Sequence, residues 1–239
     1  MRCRSEIASG LLWLALLFSA PLESRDLAAF GGLEGWKLTL PYDTPAKGRP
    51  DEVSWPEIAG FEDERCFFTD AEGRLVFRAR CDGVTTKGSK YPRTELRELA
   101  GQDEAAWDIS AKQVRSLELR FAVTHLPRVK PHVVCAQIHD ADRDVLMIRL
   151  EGRRLLVERT GRGDVMLDRE YVLGAEAKVR IEAGEGQVRV WYQDRIAAEW
   201  AEDAKGCYFK AGCYVQSNVE KGDAPDEFGE VRFARILRR

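Results

Sequence analysis

A chain of 239 residues, 44% of them apolar and 32% charged, suits one domain of ordinary size and leaves little room for two independent ones. Its formal charge of −3 supplies no global field for a nucleic acid or a membrane surface. An anionic ligand would have to be drawn by local clusters of Lys and Arg.

At the N-terminus, Arg2 and Arg4 precede an apolar run from Leu11 to Phe18, the layout of a secretory signal. The signal is expected over residues 1–24, with cleavage between Ala20 and Ala29, leaving 25–239 as a single exported domain. The run is too short for an ordinary membrane-spanning helix, so no membrane association is expected after cleavage. The chain then becomes a succession of short runs rich in β-branched and aromatic residues, broken by Gly, Asp and Pro turns. Trp36 to Leu40 is the first of these strands, and the irregular stretch 41–64 follows it. Arg74 to Arg80 is the next, after a turn at Asp70 to Gly73, and 81–92 is a second irregular stretch. Loops of such length in a compact domain are either binding loops or ordinary connections.

Tyr91 to Leu99 alternates so that Arg93, Glu95 and Arg97 share one strand face. Such a ladder either presents guanidinium forks to a carboxylate, with Glu95 holding them, or forms a solvated face with cross-strand ion pairs. Gln102 to Trp107 is the one place where a helical turn is expected. Val133 to Asp140 is an apolar strand interrupted by Gln137 and His139 on one face, a hydrogen-bond donor and a candidate base near neutral pH. Further strands are expected at Val145 to Leu150, Arg153 to Glu158, Lys178 to Glu182, Gln187 to Gln193 and Ile196 to Trp200. Tyr208 to Asn218 places Tyr208, Lys210, Gly212, Tyr214, Gln216 and Asn218 on one side, with Phe209, Cys213 and Val215 pointing to a core. After a third irregular stretch, 218–228, a last strand runs from Val231 to Leu237. This rhythm predicts an all-β fold, a jelly-roll β-sandwich of two antiparallel sheets with a concave substrate cleft.

Without Cys3 of the leader, Cys66, Cys81, Cys135, Cys207 and Cys213 remain, with no Cys-x-x-Cys pair, and the histidine spacing does not resemble a metal site. No metal or other cofactor is expected. Cys66 and Cys81 flank a hairpin and are open to bridging, whereas Cys207 and Cys213 read as small hydrophobes. Glu95 and Glu98 have opposite parity, which disfavours hydrolysis by paired carboxylates.

Three motifs in order, Arg-Thr-Glu-Leu-Arg-Glu (Arg93 to Glu98), Gln-Ile-His (Gln137 to His139) and Tyr-Phe-Lys-Ala-Gly-x-Tyr-x-Gln (Tyr208 to Gln216), resemble those of the alginate lyases of polysaccharide lyase family 7. Trp36 to Pro41 resembles that family's first strand. The resemblance implies β-elimination on an anionic polysaccharide, alginate, without a metal, by a protein expected to be monomeric and to bind no nucleic acid. It implies that Arg93, Gln137 and His139 stabilise the substrate carboxylate and that Tyr214 gives a proton to the departing oxygen. His139 would be the base for guluronate and Tyr214 both base and acid for mannuronate; the Ile of Gln-Ile-His goes with guluronate-containing chains. Arg97, Lys210 and Gln216 would contact substrate, and Glu95 would orient the Arg pair. Val215 departs from the family, which often has Asn there. A non-catalytic carbohydrate-binding jelly roll and a lyase for another polyuronate, such as a glucuronan, are the alternatives.

Overall fold

Alternation of apolar and polar side chains along short β-branched and aromatic runs gives each strand one face to bury, and two such layers bury each other. The computed structural model describes residues 27–239. In chain order the strands are Trp36–Thr39 (β1), Glu52–Ser54 (β2), Phe67–Thr69 (β3), Leu75–Arg80 (β4), Arg93–Ala100 (β5), Asp103–Glu104 (β6), Arg115–His125 (β7) and His132–His139 (β8). They continue with Asp144–Glu151 (β9), Arg154–Arg159 (β10), Val165–Asp168 (β11), Ala177–Gly184 (β12), Gln187–Tyr192 (β13), Arg195–Ala201 (β14), Tyr208–Val215 (β15) and Phe228–Arg238 (β16).

Nine strands form one sheet in the order β11-β10-β9-β8-β15-β5-β1-β2, with β6 added to β5, and seven form the other, β14-β13-β12-β7-β16-β4-β3. The pairings within both sheets are antiparallel, and the chain passes repeatedly from one sheet to the other, as in the expected jelly roll. Between the layers, Phe67, Phe77, Phe233 and Phe121 make a chain of ring contacts with centroids 5.0 to 5.7 Å apart. Phe209, Cys213 and Val215 are fully buried, as their parity requires.

Three features differ from the sequence expectation. Gln102 to Trp107 forms no helical turn: β6 pairs with the end of β5, and Trp107 is bridged to Cys207 while its indole Nε1 donates to Glu98 at 2.8 Å. Tertiary partners override the local pattern there. The irregular stretches hold short elements, β2 with a 3₁₀ turn at Glu57–Ala59 in the first and a 3₁₀ turn at Val219–Lys221 in the third. The five cysteines from Cys66 onward are all free and buried. Cys66 lies opposite Arg78, whose N–H donates to its carbonyl, and Cys81 is three residues further along the chain. At a strand rise of about 3.3 Å per residue that separation is roughly 10 Å, beyond the reach of a disulfide. The expected leader lies outside the described residues.

Candidate active site

The central strands β8, β15 and β5 bring the three motifs side by side, and their register decides which side chains meet. Lys210 stands opposite Arg97 on one side and Gln137 on the other; Tyr208 is opposite His139, Gly212 opposite Glu95, and Tyr214 opposite Arg93. A register shift between Ala211 and Tyr214 on the β8 side marks a bulge next to the tyrosine. Above these strands lies a cleft of about 680 Å³ on the outer face of the nine-stranded sheet, lined by Arg93, Gln137, His139, Lys210, Tyr214 and Gln216, with Arg97 beside them.

Glu95 forms the floor of the cleft and is 1% exposed. Its carboxylate accepts from Arg93 Nη1 at 2.9 Å, from Lys210 Nζ at 2.7 Å and from Gln137 Nε2. Burial by itself would raise its pKa, but the charges of Lys210 and Arg93 outweigh that and hold it at about 2. Lys210 is pushed down to about 8, first by burial and then by Arg93 and Arg97, although Glu95 pulls the other way. The sequence pattern assigned both arginines to Glu95; the structure gives it only Arg93. Arg97 is held instead by Glu104 at 2.9 Å, because β6 turns that carboxylate over the end of the ladder. Glu98, of opposite parity, is buried on the other side, where it accepts from the Trp107 indole and from the backbone N–H of Phe209.

His139 stacks on Tyr208 with ring centroids 5.5 Å apart, and the Arg97 guanidinium lies 3.8 Å from the Tyr208 ring centre. The imidazole Nδ1 is bonded to the carbonyl of Asp140. A carbonyl can only accept, so Nδ1 carries the proton of the neutral ring and Nε2 is left with its lone pair. Burial first, and the Lys210 charge as well, lower the pKa of His139 below its ordinary value. At neutral pH the ring is therefore uncharged and able to take a proton.

Tyr214 lies over Arg93, whose guanidinium carbon is 3.6 Å from the ring centre, and its hydroxyl is 3.0 Å from Ser89 Oγ. Gln216 is buried, and its Nε2, Arg93 Nε and Arg97 Nε are among the buried polar atoms that have no hydrogen-bond partner among the described residues. Unpaired donors gathered at one cleft suit an anionic ligand better than an apolar one. No group of three or more His, Cys, Asp or Glu side chains among the described residues is arranged to hold a metal ion. A smaller hollow of about 380 Å³ on the opposite sheet runs past Trp191, but Arg120, Lys178 and Arg180 there are paired with Glu176, Asp194 and Glu182, respectively.

All eight residues singled out from the sequence meet at this one cleft, with Glu95 beneath it. Sequence reasoning missed Ser89, whose irregular loop carries no periodicity, and Glu104, hidden in the segment read as a helical turn. It also missed Lys37, which lies on β1 opposite Arg97 and bonds Glu104 at 3.0 Å. Tyr208 was placed on the correct face without a role; its partner across the sheet is what the pattern could not show.

Comparison with known proteins points one way. The family model described as alginate lyase matches residues 32–237. An alginate lyase of Klebsiella pneumoniae is 34% identical over 100 residues, which are 39% of this chain and 32% of that protein, so the match spans about a third of that curated relative. Among solved structures, the chain is similar to alginate lyase AlgAT5 from polysaccharide lyase family 7, with a TM-score of 0.82 and 42% identity over 87% of this chain and 94% of the other. An alginate lyase from Corynebacterium sp. gives a TM-score of 0.81 and 34% identity, with the same coverage of both chains.

Proposed function

The chain belongs to the alginate lyase family, polysaccharide lyase family 7, and from that premise we propose that it depolymerises alginate by β-elimination. The observation that carries this reading is the convergence of Arg93, Gln137, His139 and Tyr214 on one cleft whose floor carries a buried Glu95 tied to two cations. An elimination next to a uronate carboxylate needs that arrangement. The C5 proton is only weakly acidic while the neighbouring carboxylate is negative, so donors must first stabilise the charge that builds on it. Arg93 and Gln137 supply those donors, and Glu95 orients both.

His139, neutral and with Nε2 open, takes the C5 proton of a guluronate; for a mannuronate the phenolate form of Tyr214 takes that proton and is the same group that returns it. The electrons of the C5–H bond form the C4–C5 double bond as the C4–O bond breaks. Tyr214 then gives its proton to the departing oxygen, leaving a 4,5-unsaturated uronate on one fragment and a hydroxyl on the other. Arg97, Lys210 and Gln216 line the same cleft, where they contact neighbouring sugar units. The Ile138 within Gln-Ile-His supports a preference for guluronate-containing blocks, and the apolar leader supports export.

The test is incubation with separated mannuronate blocks, guluronate blocks and a glucuronan, following the ultraviolet absorbance of the unsaturated product. New absorbance from alginate blocks, greatest with guluronate, is expected. Binding without product from any alginate block would sink the enzymatic reading in favour of a carbohydrate-binding jelly roll, and product from glucuronan alone would change the polymer. Arg93→Ala should lower kcat by about two to three orders of magnitude.

A further inference from the structure

We propose that Ser89, in the loop between β4 and β5, is a positioning residue that fixes the direction of the Tyr214 proton. The proposal rests on Tyr214 being the proton donor. A serine hydroxyl has two lone pairs and one proton. Ser89 Oγ is met by two groups that can only donate, Arg93 Nη2 at 3.0 Å and the backbone N–H of Tyr91 at 3.2 Å. Both lone pairs are thereby occupied. Of the remaining contacts of Oγ, the Tyr91 carbonyl at 3.1 Å can only accept, so it competes with Tyr214 Oη at 3.0 Å for the single Ser89 proton. With both lone pairs filled, the phenolic proton finds no acceptor at Ser89, and any bond between the two hydroxyls runs from Ser89 to Tyr214, the Ser89 proton being shared with the Tyr91 carbonyl.

Two consequences follow for the reaction. The phenolic proton is left out of the protein's own hydrogen bonds and projects toward the cleft, where the departing glycosidic oxygen needs it. Once it has gone, the phenolate oxygen is a stronger acceptor than the Tyr91 carbonyl and draws the Ser89 proton to itself, and the Arg93 guanidinium already lies on the ring. Arg93 thus connects three jobs: it binds Glu95, fills a lone pair of Ser89 and carries the Tyr214 ring. The loop that holds Ser89 is anchored apart from the hydroxyl. The Ser89 N–H donates to the Thr86 carbonyl at 3.0 Å, and Asn218 Nδ2 donates to the carbonyl of Lys90 at 2.9 Å. Removing the hydroxyl therefore leaves the loop tied down.

The experiment compares wild type, Ser89→Ala, Ser89→Thr and Tyr214→Phe on alginate, with kcat and KM separated and thermal midpoints recorded. Ser89→Ala is expected to lose about tenfold or more in kcat with KM within about twofold, and Ser89→Thr to recover most of it, since it restores the donor. An unchanged kcat in Ser89→Ala, a loss confined to KM, or equal impairment of the Ala and Thr variants at unchanged midpoint overturns the proposal. Retained kcat in Tyr214→Phe removes its premise and overturns it as well. A wild type without unsaturated product is a different failure, that of the functional reading itself.

Discussion

Glu95 shows how a buried charge organises a site. Taking a carboxylate out of water costs several kcal/mol unless it is paired and hydrogen-bonded, and here two cations and an amide supply the pairing. The same arrangement sets how the neighbouring groups titrate. With its pKa held at about 2, Glu95 stays ionised through the working range, and the stability it contributes is present above its ordinary 4.5 and lost as pH falls toward about 2. Lys210, lowered to about 8, loses its charge as pH rises through that value and takes with it one of the two cations on Glu95. His139, lowered from 6.5, must be neutral to accept a proton, so the acid limb of kcat on guluronate blocks should fall below pH 6.5. The alkaline limb should begin near pH 8, and Lys210→Arg, which keeps its charge, should move it upward. A pH profile of kcat for the two proteins checks both limbs, and an unmoved alkaline limb would take Lys210 out of the account.

At the scale of an element, β15 pairs with β5 through a position that has room only for a glycine. Gly212 has φ of +153°, and a Cβ there would sit 2.4 Å from the Thr94 carbonyl oxygen and 2.7 Å from the Glu95 Cα. Those atoms are backbone and cannot step aside. Gly212→Ala should cost about 2 to 3 kcal/mol in a denaturant titration and, by prising β15 from β5, reduce kcat further than the stability loss explains. An alanine variant with native stability and rate would show that the close approach is dispensable. On the buried side of the same strand, Val215 is paired with Val133 and lies close to Gly229 of the opposite sheet, so this position belongs to an apolar contact between layers and not to the cleft.

For the molecule as a whole, two layers share one continuous core beneath the cleft, with no disulfide among the described residues. A disulfide is worth about 2 to 4 kcal/mol, which in a domain of this size would move the thermal midpoint by several degrees. Adding a reductant should therefore leave the midpoint unchanged, and a clear drop would reveal a cross-link that the structure does not contain. Much of this architecture was legible from the chain. Period-two alternation placed Arg93, Glu95 and Arg97 on one face, Gln137 and His139 on another, and Lys210 and Tyr214 on a third, because side-chain direction in a strand is a local property. Even β7, not singled out beforehand, carries the alternation in Leu117, Leu119, Phe121 and Val123. What alternation could not supply is register and company. Only strand pairing decided that Lys210 stands between Arg97 and Gln137, that Glu95 serves Arg93 but not Arg97, and that Glu104 comes from a segment resembling a helical turn. Ser89 came from a loop with no period at all. Local alternation marks which faces are polar and which residues can face a ligand; the fold settles which of them touch, because those contacts span dozens of residues and no local pattern encodes them.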